Sequence, residues 1–144
     1  MLRSLKGDQI GLTVESVSSN DAAANAEFLF TVPAGEKWLL KSVSVALVQG
    51  ATQTPWPVLV IDDGTNVIWS APSGSAAQAA DTTCQHSWGL ASPLTIAGVT
   101  TAVKATGPLP EGLVLPASYR IRSLTTGLGA NSNYGKAWAA VIKL

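Results

Sequence analysis

Val32-Pro33-Ala34-Gly35-Glu36-Lys37-Trp38-Leu39-Leu40-Lys41-Ser42-Val43-Ser44-Val45-Ala46-Leu47 decides the fold class. Trp38 and Leu40 alternate with Leu39 and Lys41. The phase then slips by one residue, and Val43, Val45 and Leu47 alternate with Ser42, Ser44 and Ala46. Alternation of period two marks a β-strand with one buried face. A slip by one would turn every later side chain to the wrong face, so it predicts a β-bulge or a bend inside one long strand.

The same periodicity runs outward in both directions. Ile10, Leu12 and Val14 alternate before this stretch, as do Phe28, Phe30 and Val32. After it, Val58–Ile61 and Asn66–Ser70 flank Asp62-Asp63-Gly64-Thr65, a hairpin signal because Asp-Gly supplies the positive φ of a tight turn. Val99–Val103, Leu113–Leu115, Tyr119–Arg122 and Trp138–Ile142 read as further strands. Ala22–Ala26 follows a capping Asn20-Asp21 but is too short for a stable helix. About eight strands divided by Gly and Pro predict an all-β fold: an antiparallel β-sandwich, jelly-roll-like. Trp38, Leu40, Val43, Val45, Val60, Val103, Ile121, Trp138, Ala140 and Ile142 are the expected inward residues. One echo supports two sheets. Val32-Pro33-Ala34-Gly35 leads to Trp38, and Leu115-Pro116-Ala117-Ser118 leads to Tyr119, which suits one equivalent corner in each sheet.

At 144 residues the chain is one domain by the usual span of ~100–200 residues. Residues 8–144 form the expected sandwich. Residues 1–7 precede the first strand and are expected as an N-terminal arm; Met1–Gly7 has two basic residues but no apolar run after them, so it is not read as a secretory signal. Ala71–Thr83 is rich in Ala and Ser and is expected to be a mobile loop or a reach toward a neighbour.

Composition narrows the function. Net charge is zero and charged residues are only 12% of the chain. Serine, threonine and alanine make up a third of it. A balanced charge draws neither nucleic acid nor anionic lipid, and no aliphatic run is long enough to span a bilayer. A neutral, charge-poor surface suits being covered by other proteins and disfavours a free-floating monomer. Cys84 is the single cysteine, so the chain folds without an internal disulfide and suits a reducing cytoplasm.

Catalytic and metal signals are weak. Cys84 and His86 are two apart and would share a strand face, but no second histidine or glycine-framed nucleophile supports a dyad. Asp62-Asp63 lacks the alternating carboxylates of a calcium loop and reads as turn chemistry. The chain is therefore expected to be no enzyme and to bind no cofactor or metal. Tryptophan is the richer signal, with five against two Phe and two Tyr. Trp38, Trp69, Trp88 and Trp138 lie in strand-like alternation and suit a core. Trp56 lies in Thr54-Pro55-Trp56-Pro57, where two prolines predict a stiff extended loop, on which the ring either anchors an interface or covers its own core, with stacking on a sugar as a third use.

With its Pro33–Leu40 corner and the stretch Leu109-Pro110-Glu111-Gly112-Leu113-Val114-Leu115-Pro116-Ala117-Ser118-Tyr119-Arg120-Ile121-Arg122, the chain resembles the jelly-roll capsid cement, or decoration, proteins of short-tailed bacteriophages. Ser118 departs from that pattern, standing where glycine is commoner. The resemblance covers roughly Phe28–Leu144. It implies a virion structural protein made in the host cytoplasm and bound to the outer face of an HK97-type capsid, bridging major capsid proteins. A homo-oligomer is expected, a dimer ahead of a trimer because two-fold closure is commonest. Leu2, Arg3, Leu5 and Lys6 of the arm, together with Trp56, are the candidate partner contacts. The alternative is a phage tail, fibre or glycan-binding sandwich module, which would place an exposed Trp among polar side chains.

Overall fold

In the computed structural model, residues 13–50, 52–90, 95–99 and 102–144 are described, with 95–99 and 102 described through their backbone alone. The described residues contain no helix and twelve strand segments. These are β1 (Val14–Ser18), β2 (Leu29–Thr31), β3 (Trp38–Val48), β4 (Trp56–Asp62), β5 (Val67–Pro72), β6 (Thr83–Leu90), β7 (Thr95–Val99), β8 (Ala102–Leu109), β9 (Val114–Leu115), β10 (Arg120–Thr126), β11 (Asn133–Tyr134) and β12 (Trp138–Lys143). The larger sheet runs β1-β12-β3-β6-β8-β7, with the short β9 and β11 also pairing to β3. The smaller runs β2-β10-β4-β5. The two pack face to face as a β-sandwich. Early strands wrap onto late ones in both sheets, as in a jelly roll, and β6 with β8 is the one parallel pairing among those described.

The phase slip in β3 is a bulge. Ala140 pairs with Ser42 and the next residue, Val141, pairs with Leu40, so Lys41 is the extra residue. The bulge lets Trp38, Leu40, Val43, Val45 and Leu47 all be buried in one core. That core also takes Trp88 from the same sheet and Phe30, Leu59, Ile61 and Ile121 from the opposite one. Phe28 meets Tyr134 edge to face across the sandwich, with ring centroids 5.4 Å apart.

The two echoed corners hold the same turn. Glu36 N–H donates to Pro33 O (3.2 Å) and Tyr119 N–H donates to Pro116 O (3.2 Å). The third residue of each turn has positive φ, 82° at Gly35 and 72° at Ser118, as a type II turn requires. One corner feeds β3 in the larger sheet and the other feeds β10 in the smaller.

Four expectations change. Trp138, Ala140 and Ile142 do not point inward: Ala137, Ala139 and Val141 are the buried residues, while Trp138 is 48% exposed. This strand is apolar in both phases, so alternation does not choose between them. The smaller set faces the interior already occupied by Trp88, Phe28 and Tyr134. Val103 keeps the inward phase of the buried Ala105 and is half-buried, whereas Val60 is buried but lies in the row of Arg122, on the opposite face of β4 from Leu59 and Ile61. Trp56 is not in a loop but opens β4 opposite Thr126. Pro57 fits the strand because its carbonyl still accepts from Ser73 N–H (3.1 Å). The Ala71–Thr83 segment begins as the end of β5, and its remainder is tied to the sandwich at Ser73, Gln78 and Thr82.

Candidate functional site

The chemistry-bearing side chains gather inside rather than on the surface. His86 on β6 is buried, with Ser73 Oγ 2.6 Å from Nδ1 and Gln78 Oε1 2.9 Å from Nε2. Gln78 Nε2 uses its two hydrogens on Leu47 O (3.0 Å) and Thr82 O (2.9 Å). Its Oε1 must therefore accept, so His86 carries its proton on Nε2 and Nδ1 accepts from the Ser73 hydroxyl. Burial holds the His86 pKa down at about 4, so the ring is neutral at pH 7. Ser73, His86 and Gln78 are all sealed from solvent, and what the string does is fasten the segment after β5 to the larger sheet. Cys84 shares the inner face of β6, as period two demands, and burial raises its thiol pKa to about 11. A thiol so buried is protonated at pH 7 and is a poor nucleophile.

Asp62 has a part that the turn reading missed. It is buried on the outer side of the smaller sheet, between Arg120 Nε at 2.6 Å and Arg122 Nε at 2.7 Å. Burial alone would raise its pKa, but hydrogen bonds from both guanidinium groups and from Gly64 N–H win and bring it down to about 2. Asp63 does the turn's own work, its Oδ1 accepting from Thr65 N–H (2.8 Å) and Asn66 N–H (2.7 Å). Among the described residues no group of three or more His, Cys, Asp or Glu could hold a metal ion, and no helix is long and apolar enough to cross a membrane.

Beside the Asp62 cluster the outer face of the smaller sheet carries an apolar patch, with Thr31, Ser70 and Thr126 among its other residues. Strand register lines up Leu124, Val58 and Pro72 in one row and Trp56 beside Thr126 in the next. Leu124 is 56% exposed, Leu29 47% and Trp56 40%. The Trp56 indole N–H is already satisfied by Gly74 O at 3.1 Å, which fixes the ring against the sheet. Leu124 was legible in the sequence, because Arg120, Arg122 and Leu124 share a phase.

The outer face of the larger sheet has a different texture. Ser18, Trp138, Ser44 and Ser87 form one row, and Ser16, Ala140, Ser42 and Gly89 the next. Small hydroxyls and alanines thus surround one indole, with Lys136 Nζ 5.9 Å from its centroid. A third feature is a cleft of about 480 Å³ between the edges β1 and β2, lined by Val17, Leu29, Phe30, Trp38 and Lys143 among others. Of the expected contact residues, Trp56 is on the apolar face. Leu2, Arg3, Leu5 and Lys6 lie outside the described residues. Comparison with protein-family models and with curated proteins finds no match for this chain.

Proposed function

We propose that the protein is a virion structural protein of the cement class. It binds the outer face of an HK97-type capsid as a small homo-oligomer, a dimer ahead of a trimer, and bridges neighbouring major capsid proteins. The resemblance of its corners to such proteins raised this reading. The observation that carries it furthest is the pair of distinct faces on opposite sides of one sandwich, one of serine, alanine and glycine around Trp138, the other an apolar patch beside the Arg120–Asp62–Arg122 cluster. A bridging protein needs two separate contact surfaces, and a face with Trp56, Leu124, Val58 and Pro72 beside a neutralised Asp62 is suited to burial. Symmetry then multiplies weak contacts into firm attachment.

The test is co-sedimentation with bare expanded shells of the same virus. Wild-type protein should saturate the shells, and Trp56→Ala should lower bound copies about tenfold or more, as expected when a buried aromatic anchor of ~2 kcal/mol is lost. Equal occupancy by a folded Trp56→Ala protein would move the grip off this face, and no binding by the wild type would refute the reading. One observation favours the glycan-binding alternative: Trp138 stands exposed between Ser18 and Ser44, a surface on which a pyranose ring could stack. Titration with oligosaccharides while following tryptophan fluorescence separates the two readings.

A further inference from the structure

Arg120 and Arg122 meet on one carboxylate. They alternate along β10, so both side chains stand on the outer face of the smaller sheet. Arg120 lies opposite Asp62 in register, and Arg122 lies one row further on, opposite Val60. Asp62 Oδ1 accepts from Arg120 Nε–H (2.6 Å) and Gly64 N–H (2.9 Å), and Oδ2 accepts from Arg122 Nε–H (2.7 Å). The carboxylate is held from three sides, and it holds both guanidinium groups in turn.

Much of the donor capacity of this cluster is unspent. A guanidinium has five N–H bonds. The hydrogen bonds to Asp62 use only the Nε–H of each, and among the described residues no oxygen accepts from the Nη groups. Each arginine so keeps its two-nitrogen end, the fork that matches a planar carboxylate. The Arg120 and Arg122 side chains are 37% and 29% exposed against 2% for Asp62, so an incoming group meets guanidinium and not the carboxylate beneath. Two further carboxylates stand at the ends of the face. Asp63 in the hairpin turn accepts from Thr65 and Asn66 N–H, and Glu27, before β2, accepts from Thr125 N–H (2.6 Å) and Oγ1–H (2.9 Å). Neither is hydrogen-bonded to Arg120 or Arg122, and Asp62 alone answers their two charges.

We propose that the Nη ends of Arg120 and Arg122 receive an acidic side chain of the partner protein, whose apolar neighbour two residues away seats on Leu124 and Val58; this rests on the reading of the face as a protein contact. Charge complementarity selects the acidic group, since two exposed cations share one buried anion. Spacing selects a polypeptide to carry it. Leu124 and Val58 form the row after Arg122 and Val60, two residues or ~7 Å further along the strands. An extended partner segment repeats its side chains on one face at that same spacing, so one acidic and one apolar residue match both rows. A free phosphate would answer the guanidinium ends and leave the apolar row bare. Asp62 acts as a positioning residue: it turns both Nε–H groups inward and leaves the Nη ends outward.

The experiment follows the Arg120 and Arg122 Nε–H signals by NMR while the full chain is titrated with a short peptide carrying glutamate and leucine two residues apart. Both signals should shift saturably at millimolar peptide, and the glutamine analogue should leave them in place. Arg122→Gln keeps Asp62 paired with Arg120 and should weaken peptide and shell binding about tenfold. Asp62→Asn keeps the shape, removes the opposing charge and should tighten both about threefold, a gain that a damaged fold does not produce. Circular dichroism and urea midpoints check that each variant is folded. A wild type indifferent to the peptide would overturn the proposal, as would phosphate binding as tight as the peptide's. A folded Arg122→Gln or Asp62→Asn protein with wild-type affinity would overturn it equally. Shell binding that needs Trp56 but not Arg122 would sink this inference and leave the capsid role standing. Peptide binding without shell binding would do the reverse.

Discussion

His86 is the one histidine of the chain, and its burial makes acid stability a direct test of the interior string. The ordinary pKa of 6.5 falls to about 4 in the fold because the charged ring would lose its water. Above pH 6.5 both folded and unfolded chains carry neutral imidazole, and the residue adds no pH dependence. Between 6.5 and 4 the unfolded chain takes up a proton that the folded one refuses, so stability falls as pH falls. Below about 4 both states are protonated and the slope ends. The gap of about 2.5 units, at 1.36 kcal/mol each, amounts to ~3 kcal/mol lost across that window. Asp62 holds its charge down to about 2 and is silent there, and Cys84 is protonated throughout. Urea denaturation at pH 7, 6, 5 and 4.5 measures the slope. His86→Gln should be less stable at pH 7, since Ser73 and Gln78 lose their partner, but its stability should fall far less between pH 6.5 and 4.5. An unchanged slope in a folded His86→Gln protein would refute the reasoning, as would a wild type equally stable at pH 7 and 4.5.

The backbone offers two more tests. Ser118 sits at φ 72° where its twin corner has Gly35, and glycine is the one residue without a Cβ penalty there. Ser118→Gly should raise stability by about 0.5–1 kcal/mol, the left-handed cost less the glycine entropy, read as a higher urea midpoint with an unchanged m-value. Gly107→Ala should do the reverse, because the new methyl group meets the Pro72 carbonyl and Trp88 Cδ1 together. The loss should be ~1–3 kcal/mol by the same urea measurement, and an unaffected midpoint would mean that β5 and β8 can part freely.

What the sequence disclosed depended on whether a signal was local. The bulge at Lys41 announced itself as a phase change between Leu40 and Val43, because both flanks had one apolar and one polar face. The Asp62–Thr65 hairpin was equally local. Strand β12 offered no such contrast: Ala137, Ala139 and Val141 compete with Trp138, Ala140 and Ile142, and interior space decides between them. The segment after β5 read as mobile because its anchors are remote. Gln78 is held by Pro55 O and Leu47 O, and by a histidine from another strand. The pairing of Asp62 with Arg120 and Arg122 spans about 60 residues and leaves no pattern in either stretch.

The apolar face of the smaller sheet is not a defect of the core. Every buried side-chain nitrogen and oxygen among the described residues has a hydrogen-bond partner. The core itself holds Trp38, Trp88, Phe28, Phe30 and Tyr134 with almost no exposure. Folding therefore does not require Trp56, Leu124 and Leu29 to be apolar where they stand, and serine or threonine would serve a solvated strand there as well. Trp56 sharpens the point. Its N–H is spent on Gly74 O, so the ring needs no polar partner from outside, and little side-chain entropy remains to be lost on contact. Arg120 and Arg122 are likewise held by Asp62 and do not stand as loose solvated charges around the ring. A fixed aromatic beside aliphatic neighbours, with two guanidinium groups tied to one carboxylate, is the feature on which the proposed shell contact rests, and Trp56→Ala tests it.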